Sequence, residues 1–303
     1  MKYAYFPGCS IHHSTAKEYE KSCLAVSREL GIELEEIPGW NCCGSIDAVY
    51  SYDPNASLAL AARNFTLAEK LSSNIVTLCS ACYFTLSRAN KILQSDSEAS
   101  EQVRKTYNVQ TGSDGVKVRH FLDILVNDVG YDVIAAHVRT PLKGLKVASY
   151  YGCLLVRPPG LGSFDDPEHP RSLEKVVETL GAKSVELQDK TRCCGASLAI
   201  THEETMIELS KQILQNAKAA GADCIVTVCP LCQFNLDAKQ TDIEARLGTK
   251  LNIPVLFLTQ LMGLAFGLSD RELEIGKNFT KFRMSKSNAD GHAVEVVAEA
   301  KHS

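Results

Sequence analysis

Ten of the twelve cysteines fall into two copies of one five-cysteine pattern, and this constrains the fold more than any other feature of the chain. The first copy comprises Cys9, the adjacent Cys42 and Cys43, and the spaced pair Cys79 and Cys82. The second comprises Cys153, the adjacent Cys193 and Cys194, and the spaced pair Cys229 and Cys232. Flanking residues repeat with them. MKYAYFPGC (1–9) aligns without a gap to LKVASYYGC (145–153), Gly31 matches Gly181, and IVTLCSACYFTL (75–86) matches IVTVCPLCQFNL (225–236). VKVRHFLDILV (116–126) and IPVLFLTQLMG (253–263) share a pattern, a short strand running into a helix. A repeat this long is a duplicated domain, since solenoid repeats run to only about 20–50 residues. The chain therefore divides into a first half over 1–143, a second over 144–270, and a polar extension over 271–303 without counterpart in the first half.

Each half reads as alternating strand and helix. Residues 2–6 are an apolar, aromatic strand stopped by Pro7 and Gly8, and residues 17–30 carry apolar side chains at helical spacing up to Gly31. Residues 32–37 read as a short strand, 54–72 as a helix opened by Pro54, and 75–78 as a buried strand leading into Cys79. The second half repeats this order. The pattern predicts an α/β fold, a tandem duplication of two similar domains with mostly parallel sheets related by a pseudo-twofold. The cysteine-bearing turns then fall at the C-terminal ends of strands, where open α/β sheets place their sites. The halves differ after Cys153, where RPPGLGSFDDPEHP (157–170) is a proline-rich loop, and at the C-terminus, where AVEVVAEAK (293–301) reads as a short helix or strand.

Compartment and ligand number say what the cysteines are for. With 303 residues, 45% of them apolar, the chain can bury a core without disulfide staples. Its first residues are too polar for an export signal, and no run of about 18 apolar residues exists to span a membrane, so a cytoplasmic location is expected. A net charge of −4 gives no footprint for nucleic acid. Clustered cysteines in such a chain point to metal or redox chemistry. Structural zinc and a cubane 4Fe–4S cluster each take about four ligands, whereas each half offers five thiols. Adjacent cysteines are hard to aim at a single ion, and suit different irons of a larger or more open cluster. Zinc in one half is the alternative.

FPGC (6–9), WNCCGS (40–45), YGCLLVRPP (151–159), FDDPEHP (164–170) and RCCGASLA (192–199) resemble the signatures of heterodisulfide reductase B subunits, a family with two CCG cysteine motifs. The resemblance covers about residues 1–270. It implies that each motif holds a non-cubane 4Fe–4S cluster through all five cysteines: Cys9, Cys42, Cys43, Cys79 and Cys82 in one half, Cys153, Cys193, Cys194, Cys229 and Cys232 in the other. It implies a catalytic subunit that reduces, or reversibly forms, a substrate disulfide in one-electron steps, with the S–S bond lying between the clusters. A ferredoxin-like iron–sulfur subunit would supply electrons and a flavin subunit would stand upstream, because no glycine-rich dinucleotide fingerprint follows Gly8 or Gly152. The motifs are expected to face each other across a cleft lined by Tyr83, Gln233 and the segments after Cys9 and Cys153. The sequence departs from that family at Leu154, where relatives often carry histidine, so no proton-donating role is carried over to this position. Similar motifs occur beside lactate or glycolate oxidases and in succinate or fumarate enzymes, which makes an electron-transfer subunit the runner-up reading. A zinc-stabilised scaffold is a third.

Other residues invite both plain and functional readings. Cys23 aligns with Leu173 and Cys224 with Asn74, so both are expected to be packing residues. His12 and His13 follow Cys9 closely enough to serve as proton sources, against the plainer reading of a solvated turn. Arg157 and Arg192 are candidate contacts for an anionic substrate, against ordinary surface arginines. Trp40, the single tryptophan, either shields a cluster or meets another subunit.

Overall fold

The computed structural model describes residues 1–12, 16–45, 47–72, 74–95, 97–107, 116–157, 160–161, 164–287 and 293–297. Each half builds one four-stranded sheet, and every strand pair in it is parallel. In the first, β1 (Lys2–Phe6), β2 (Glu33–Glu36), β3 (Asn74–Thr77) and β4 (Lys117–His120) lie in the order β2-β1-β3-β4. In the second, β5 (Lys146–Tyr150), β6 (Lys183–Val185), β7 (Cys224–Thr227) and β8 (Val255–Phe257) lie in the order β6-β5-β7-β8. The registers correspond as well as the order. Ala4 pairs with Ile75 as Ala148 pairs with Ile225, and Thr77 pairs with His120 as Thr227 pairs with Phe257. The duplication read from the cysteines is thus a duplication of the α/β fold.

Parallel neighbours need crossovers, and helices supply them. In the first half these are α1 (Cys9–His12), α2 (Lys17–Glu29), α3 (Asp47–Tyr52), α4 (Pro54–Ala68), α5 (Ser80–Leu93) and α6 (Glu98–Tyr107). After β4 come α7 (Phe121–Asp123), which continues as a π-helical turn to Val129, and α8 (Tyr131–Ala136). The second half has α9 (Ser172–Thr179), α10 (Glu203–Ala219), α11 (Pro230–Asp237), α12 (Gln240–Leu247), α13 (Leu258–Ala265) and α14 (Asp270–Leu273). An antiparallel hairpin of β9 (Arg283–Ser287) and β10 (Ala293–Val297) follows. Of the segment read as helix or strand, 293–297 is strand and the rest lies outside the described residues. Among the described residues no helix is long and apolar enough to cross a membrane.

Local sequence explains why the helices start where they do. Asp53 caps α4, accepting from the backbone N–H groups of Asn55 at 2.9 Å and Ala56 at 3.2 Å, while Pro54 takes the first helical position. Helix α2 buries Tyr19, Cys23 and Val26 on one face, carries Glu18 and Glu20 in its first turn and Arg28 in its last, in keeping with the helix dipole.

That buried face of α2 packs across the boundary between the halves. Tyr19 stacks on Phe257, ring centroids 4.0 Å apart and nearly coplanar. Ser22 Oγ and Thr259 Oγ1 share a hydrogen bond of 2.7 Å, α13 lies along α2, and α8 meets α9 in the corresponding place. Arg139 pairs with Glu29 and donates to the Phe266 carbonyl at 3.0 Å.

The strand order decides where a site forms. From β1 the chain crosses to one side to make β2, then to the other side to make β3, so β1 and β3 flank a switch point. Crossovers leave a crevice there, beyond the strands' C-terminal ends. Cys9 follows β1, Cys79 follows β3, and Cys42–Gly44 follows β2, all at that edge; the second half places Cys153, Cys229 and Cys193–Gly195 in the same way.

Candidate functional site

All ten motif cysteines gather at this edge; eight of their thiols form one row running through both halves, and Cys153 and Cys193 make a separate pair. Cys9 touches Cys42, Cys42 touches Cys43, and Cys43 Sγ lies 3.4 Å from Cys82 Sγ. Cys82 lies beside Cys79, and Cys79 lies beside Cys229 of the other half. The row continues through Cys232 to Cys194, whose Sγ lies 3.6 Å from that of Cys232, while Cys153 and Cys193 meet each other. Its middle is buried, with Cys79 and Cys229 each 3% exposed; Cys9 reaches the surface and Cys42, Cys153 and Cys193 are half-buried. The motifs therefore face each other across the pseudo-twofold.

Backbone shape allows this approach. Gly8 and Gly152 precede the first cysteine of each copy with φ of +77° and +71°, and a Cβ on either would lie 3.0 Å from Cys82 Sγ or Cys232 Sγ. Neighbouring polar groups hold the CCG turns. Ser57 Oγ donates to the Gly44 carbonyl at 2.9 Å, and Ser210 Oγ donates to the Cys194 carbonyl at 2.9 Å. Asn41 donates to the Cys42 carbonyl at 2.8 Å, and Asn235 Nδ2 donates to the Cys194 carbonyl at 3.2 Å. Each spaced pair opens a helix, α5 from Cys79 and α11 from Cys229, with Pro230 in the first turn of the latter.

The chemistry of the row is that of crowded sulfur whose mutual hydrogen bonds pull the thiol pKa values apart. Hydrogen bonds from Cys42 and Cys82 hold the Cys43 thiol well below its ordinary pKa; those from Cys232 and Cys79 do the same for Cys229. Their donors move the other way. Cys82 is pushed up chiefly by its bond to Cys43, Cys79 by its bond to Cys229, and Cys232 by its bond to Cys194. Among the described residues no three His, Cys, Asp or Glu side chains are arranged to hold a single metal ion. Ser80 Oγ, inside the first spaced pair, is buried without a hydrogen-bond partner. Buried thiols crowded beside an unspent hydroxyl suit a multi-iron cluster with sulfide acceptors.

The residues singled out from sequence fall variously. Cys23 and Cys224 are fully buried, in α2 and β7, away from the row as packing residues would be. His12 lies in α1 beside Trp40, ring centroids 5.6 Å apart, and Trp40 also meets Phe6 and donates to Glu36 at 2.9 Å. His13 lies outside the described residues. Arg157 pairs with Glu168 at 3.2 Å and Arg192 with Asp189 at 3.3 Å, both at the surface.

The cleft expected along Tyr83 and Gln233 needs correcting. Both side chains are buried and already engaged: Tyr83 donates to the Leu161 carbonyl at 3.4 Å and Gln233 donates to Asp237 at 2.9 Å. The physical reason is that Gly160 and Leu161, in the loop after Cys153, pack back on α5, where Lys91 also donates to the Gly160 carbonyl at 3.2 Å.

Sequence reasoning missed His120. It ends β4 fully buried, its Nδ1 accepts from the Leu122 N–H at 3.1 Å, and its Nε2 lies 3.0 Å from the Leu78 carbonyl and 3.2 Å from that of Val228. Burial lowers its pKa to about 4, so the ring is neutral near pH 7. No sequence signal marked it, because the equivalent strand position in the second half is Phe257.

A family model described as CCG, cysteine-rich domain, matches residues 3–87 and 147–237. The chain is 36% identical to the 8-methylmenaquinol:fumarate reductase membrane anchor subunit of Wolinella succinogenes, over 91% of this chain and 96% of that one. It is 34% identical to the B subunit of the ferredoxin:CoB-CoM heterodisulfide reductase of Methanosarcina mazei, over 91% of this chain and 93% of that one. Among solved structures, a hypothetical protein from Helicobacter pylori superposes with a TM-score of 0.69 at 14% identity, over 92% of this chain and 52% of that one, a likeness of fold.

Proposed function

The chain belongs to the family built on the CCG cysteine-rich domain, with relatives among heterodisulfide reductase B subunits, and from that premise we propose that it is the disulfide-reducing iron–sulfur subunit of a larger redox complex. In this reading the units 1–143 and 144–270 each hold one non-cubane 4Fe–4S cluster. Cys9, Cys42, Cys43, Cys79 and Cys82 ligate the first; Cys153, Cys193, Cys194, Cys229 and Cys232 ligate the second. Such clusters would supply and accept single electrons when bound. The chain's own residues would hold them, with Cys79 and Cys229 buried at the middle and Cys9 and Cys153 nearer solvent. The observation that carries the reading is the row of eight thiols whose two halves come together at Cys79 and Cys229. Two equivalent sites facing each other about a twofold suit a substrate with two equivalent sulfurs. Electrons would come from a ferredoxin-like subunit and, beyond it, a flavin subunit.

Metal analysis tests the ligands. The anaerobically prepared chain should carry about eight iron and about eight sulfide. Cys43→Ser should remove about half of each, while Cys23→Ser should remove none. Zinc without sulfide, or equal iron loss from Cys23→Ser, would sink the assignment.

The Wolinella relative, whose name is that of a fumarate reductase subunit, favours a second reading, an electron-transfer subunit with no disulfide chemistry of its own. Adding a mixed thiol disulfide to the chemically reduced chain separates the two. Release of free thiols in step with reoxidation supports the first reading; reoxidation by a quinone but not by the disulfide supports the second.

A further inference from the structure

His120 stands where the two halves meet, and its contacts are to backbone and not to thiols. Leu78 and Val228 are equivalent residues of the two halves, each directly before the first cysteine of its spaced pair. Their carbonyl oxygens converge on one imidazole nitrogen, at 3.0 Å and 3.2 Å. Because Nδ1 accepts from the Leu122 N–H, the ring proton sits on Nε2, which can donate to both carbonyls at once. Without that proton two buried carbonyls would point at each other with too few donors, a costly arrangement in a dry interior. Tyr19 adds one further donor, its hydroxyl lying 3.3 Å from the Val228 carbonyl, and the Tyr83 ring meets His120 edge-on with centroids 5.9 Å apart.

We infer that His120 is a positioning residue, a clamp that fixes the two cysteine-bearing turns against each other and so sets the separation of Cys79 and Cys229. The contact it controls crosses the twofold, since a single nitrogen bonds one turn from each half. Its importance for electron passage or disulfide chemistry rests on the reading of the ten cysteines as cluster ligands; the clamp itself does not.

The test uses the full chain in two states. In the metal-free chain, diamide joins Cys79 to Cys229: the two thiols lose two electrons and two protons, diamide takes them up as its hydrazine, and one S–S bond forms. Peptide mass mapping follows that bond with time. His120→Phe, which copies the residue at 257, should slow it about five-fold through loss of a buried donor shared by the turns. His120→Gln, which keeps an N–H donor, should recover most of the rate. Val103→Ala, a core truncation in α6, controls for lost stability and should leave the rate unchanged. In the iron-loaded chain, His120→Phe should keep its iron but show a weakened magnetic interaction between the two sites. An unchanged diamide rate in folded His120→Phe overturns the clamp, as does an equal loss in Val103→Ala.

Should His120→Phe fail to fold, nitrogen chemical shifts of the histidine in the unmodified chain decide. A protonated Nε2 that exchanges slowly supports the clamp; a protonated Nδ1 or a charged ring overturns it. The outcomes separate from those of the proposed function. A chain without iron whose thiols still join at a His120-dependent rate loses the cluster reading and keeps the clamp, and the reverse pattern does the opposite.

Discussion

A methyl group added to Gly8 would lie 3.0 Å from Cys82 Sγ, and one added to Gly152 would lie 3.0 Å from Cys232 Sγ. Both positions also need the left-handed backbone region, which costs an alanine about 1–2 kcal/mol. The two effects have different targets, since strain lowers stability while the contact displaces a thiol. Gly8→Ala should therefore lower the melting temperature modestly and release the iron of the first half, leaving that of the second; Gly152→Ala should do the reverse. Iron content and thermal melting together check this, and full iron in both variants would mean that the approach to the thiol is not required. At this scale the sequence was highly legible. The cysteines stood out because they occur twice in register, and the glycines because they precede or follow them. His120 did not stand out, because its role depends on lying near a symmetry axis, and its counterpart there is a phenylalanine.

Strands and helices were legible for a different reason, the change in apolar spacing along each half. Helix α2 ends one residue before its expected limit, and α4 stops at Ala68, short of 72. What spacing could not tell was which neighbour each face would meet. Helix α2 carries Glu18 on its buried side, near Glu274 at the end of α14, which packs against it, and Asp237 at the end of α11, with Lys277 the nearby cation. Burial, helped by those two carboxylates, raises its pKa from 4.5 to about 7. The folded chain thus holds the Glu18 proton more tightly than the unfolded chain, so stability falls as pH rises through about 4.5 to 7. Buried neutral His120 acts with the opposite sign, losing stability as pH falls from 6.5 towards about 4, so a difference measurement is needed. Glu18→Gln should match the parent near pH 5 and exceed it near pH 8 by on the order of 2 kcal/mol, read from denaturant midpoints. Parallel stability profiles would show that Glu18 ionises freely in the folded chain.

The two halves were legible as copies, yet the sequence did not say how tightly they join. The segment after Cys153 was expected to line a cleft, and instead its Gly160 and Leu161 lie against α5, where their carbonyls accept hydrogen bonds from Lys91 and Tyr83. Across the boundary, Tyr19 stacks on Phe257, Ser22 meets Thr259, and buried carbonyls of both halves share His120. Separating the halves would expose an aromatic pair and strand several polar groups, which is too costly for either to persist alone. Calorimetry of the full chain should show one cooperative transition with matching calorimetric and van't Hoff enthalpies. Two transitions would mean that each half is stable without the other.

One consequence of the His120 position concerns descent. An axis of twofold symmetry has room for a single side chain, so two identical subunits meeting there would bring two copies of the same residue to one point. Joining the copies in one polypeptide removes that conflict, because each can then mutate alone. One copy has an imidazole that bridges the carbonyls and the other has a phenyl ring stacked on Tyr19. The same freedom reached the sulfur sites, where Ser80 stands opposite Pro230 and Thr85 opposite Asn235. A fused pair of this kind has a front and a back that a dimer of identical chains could never have.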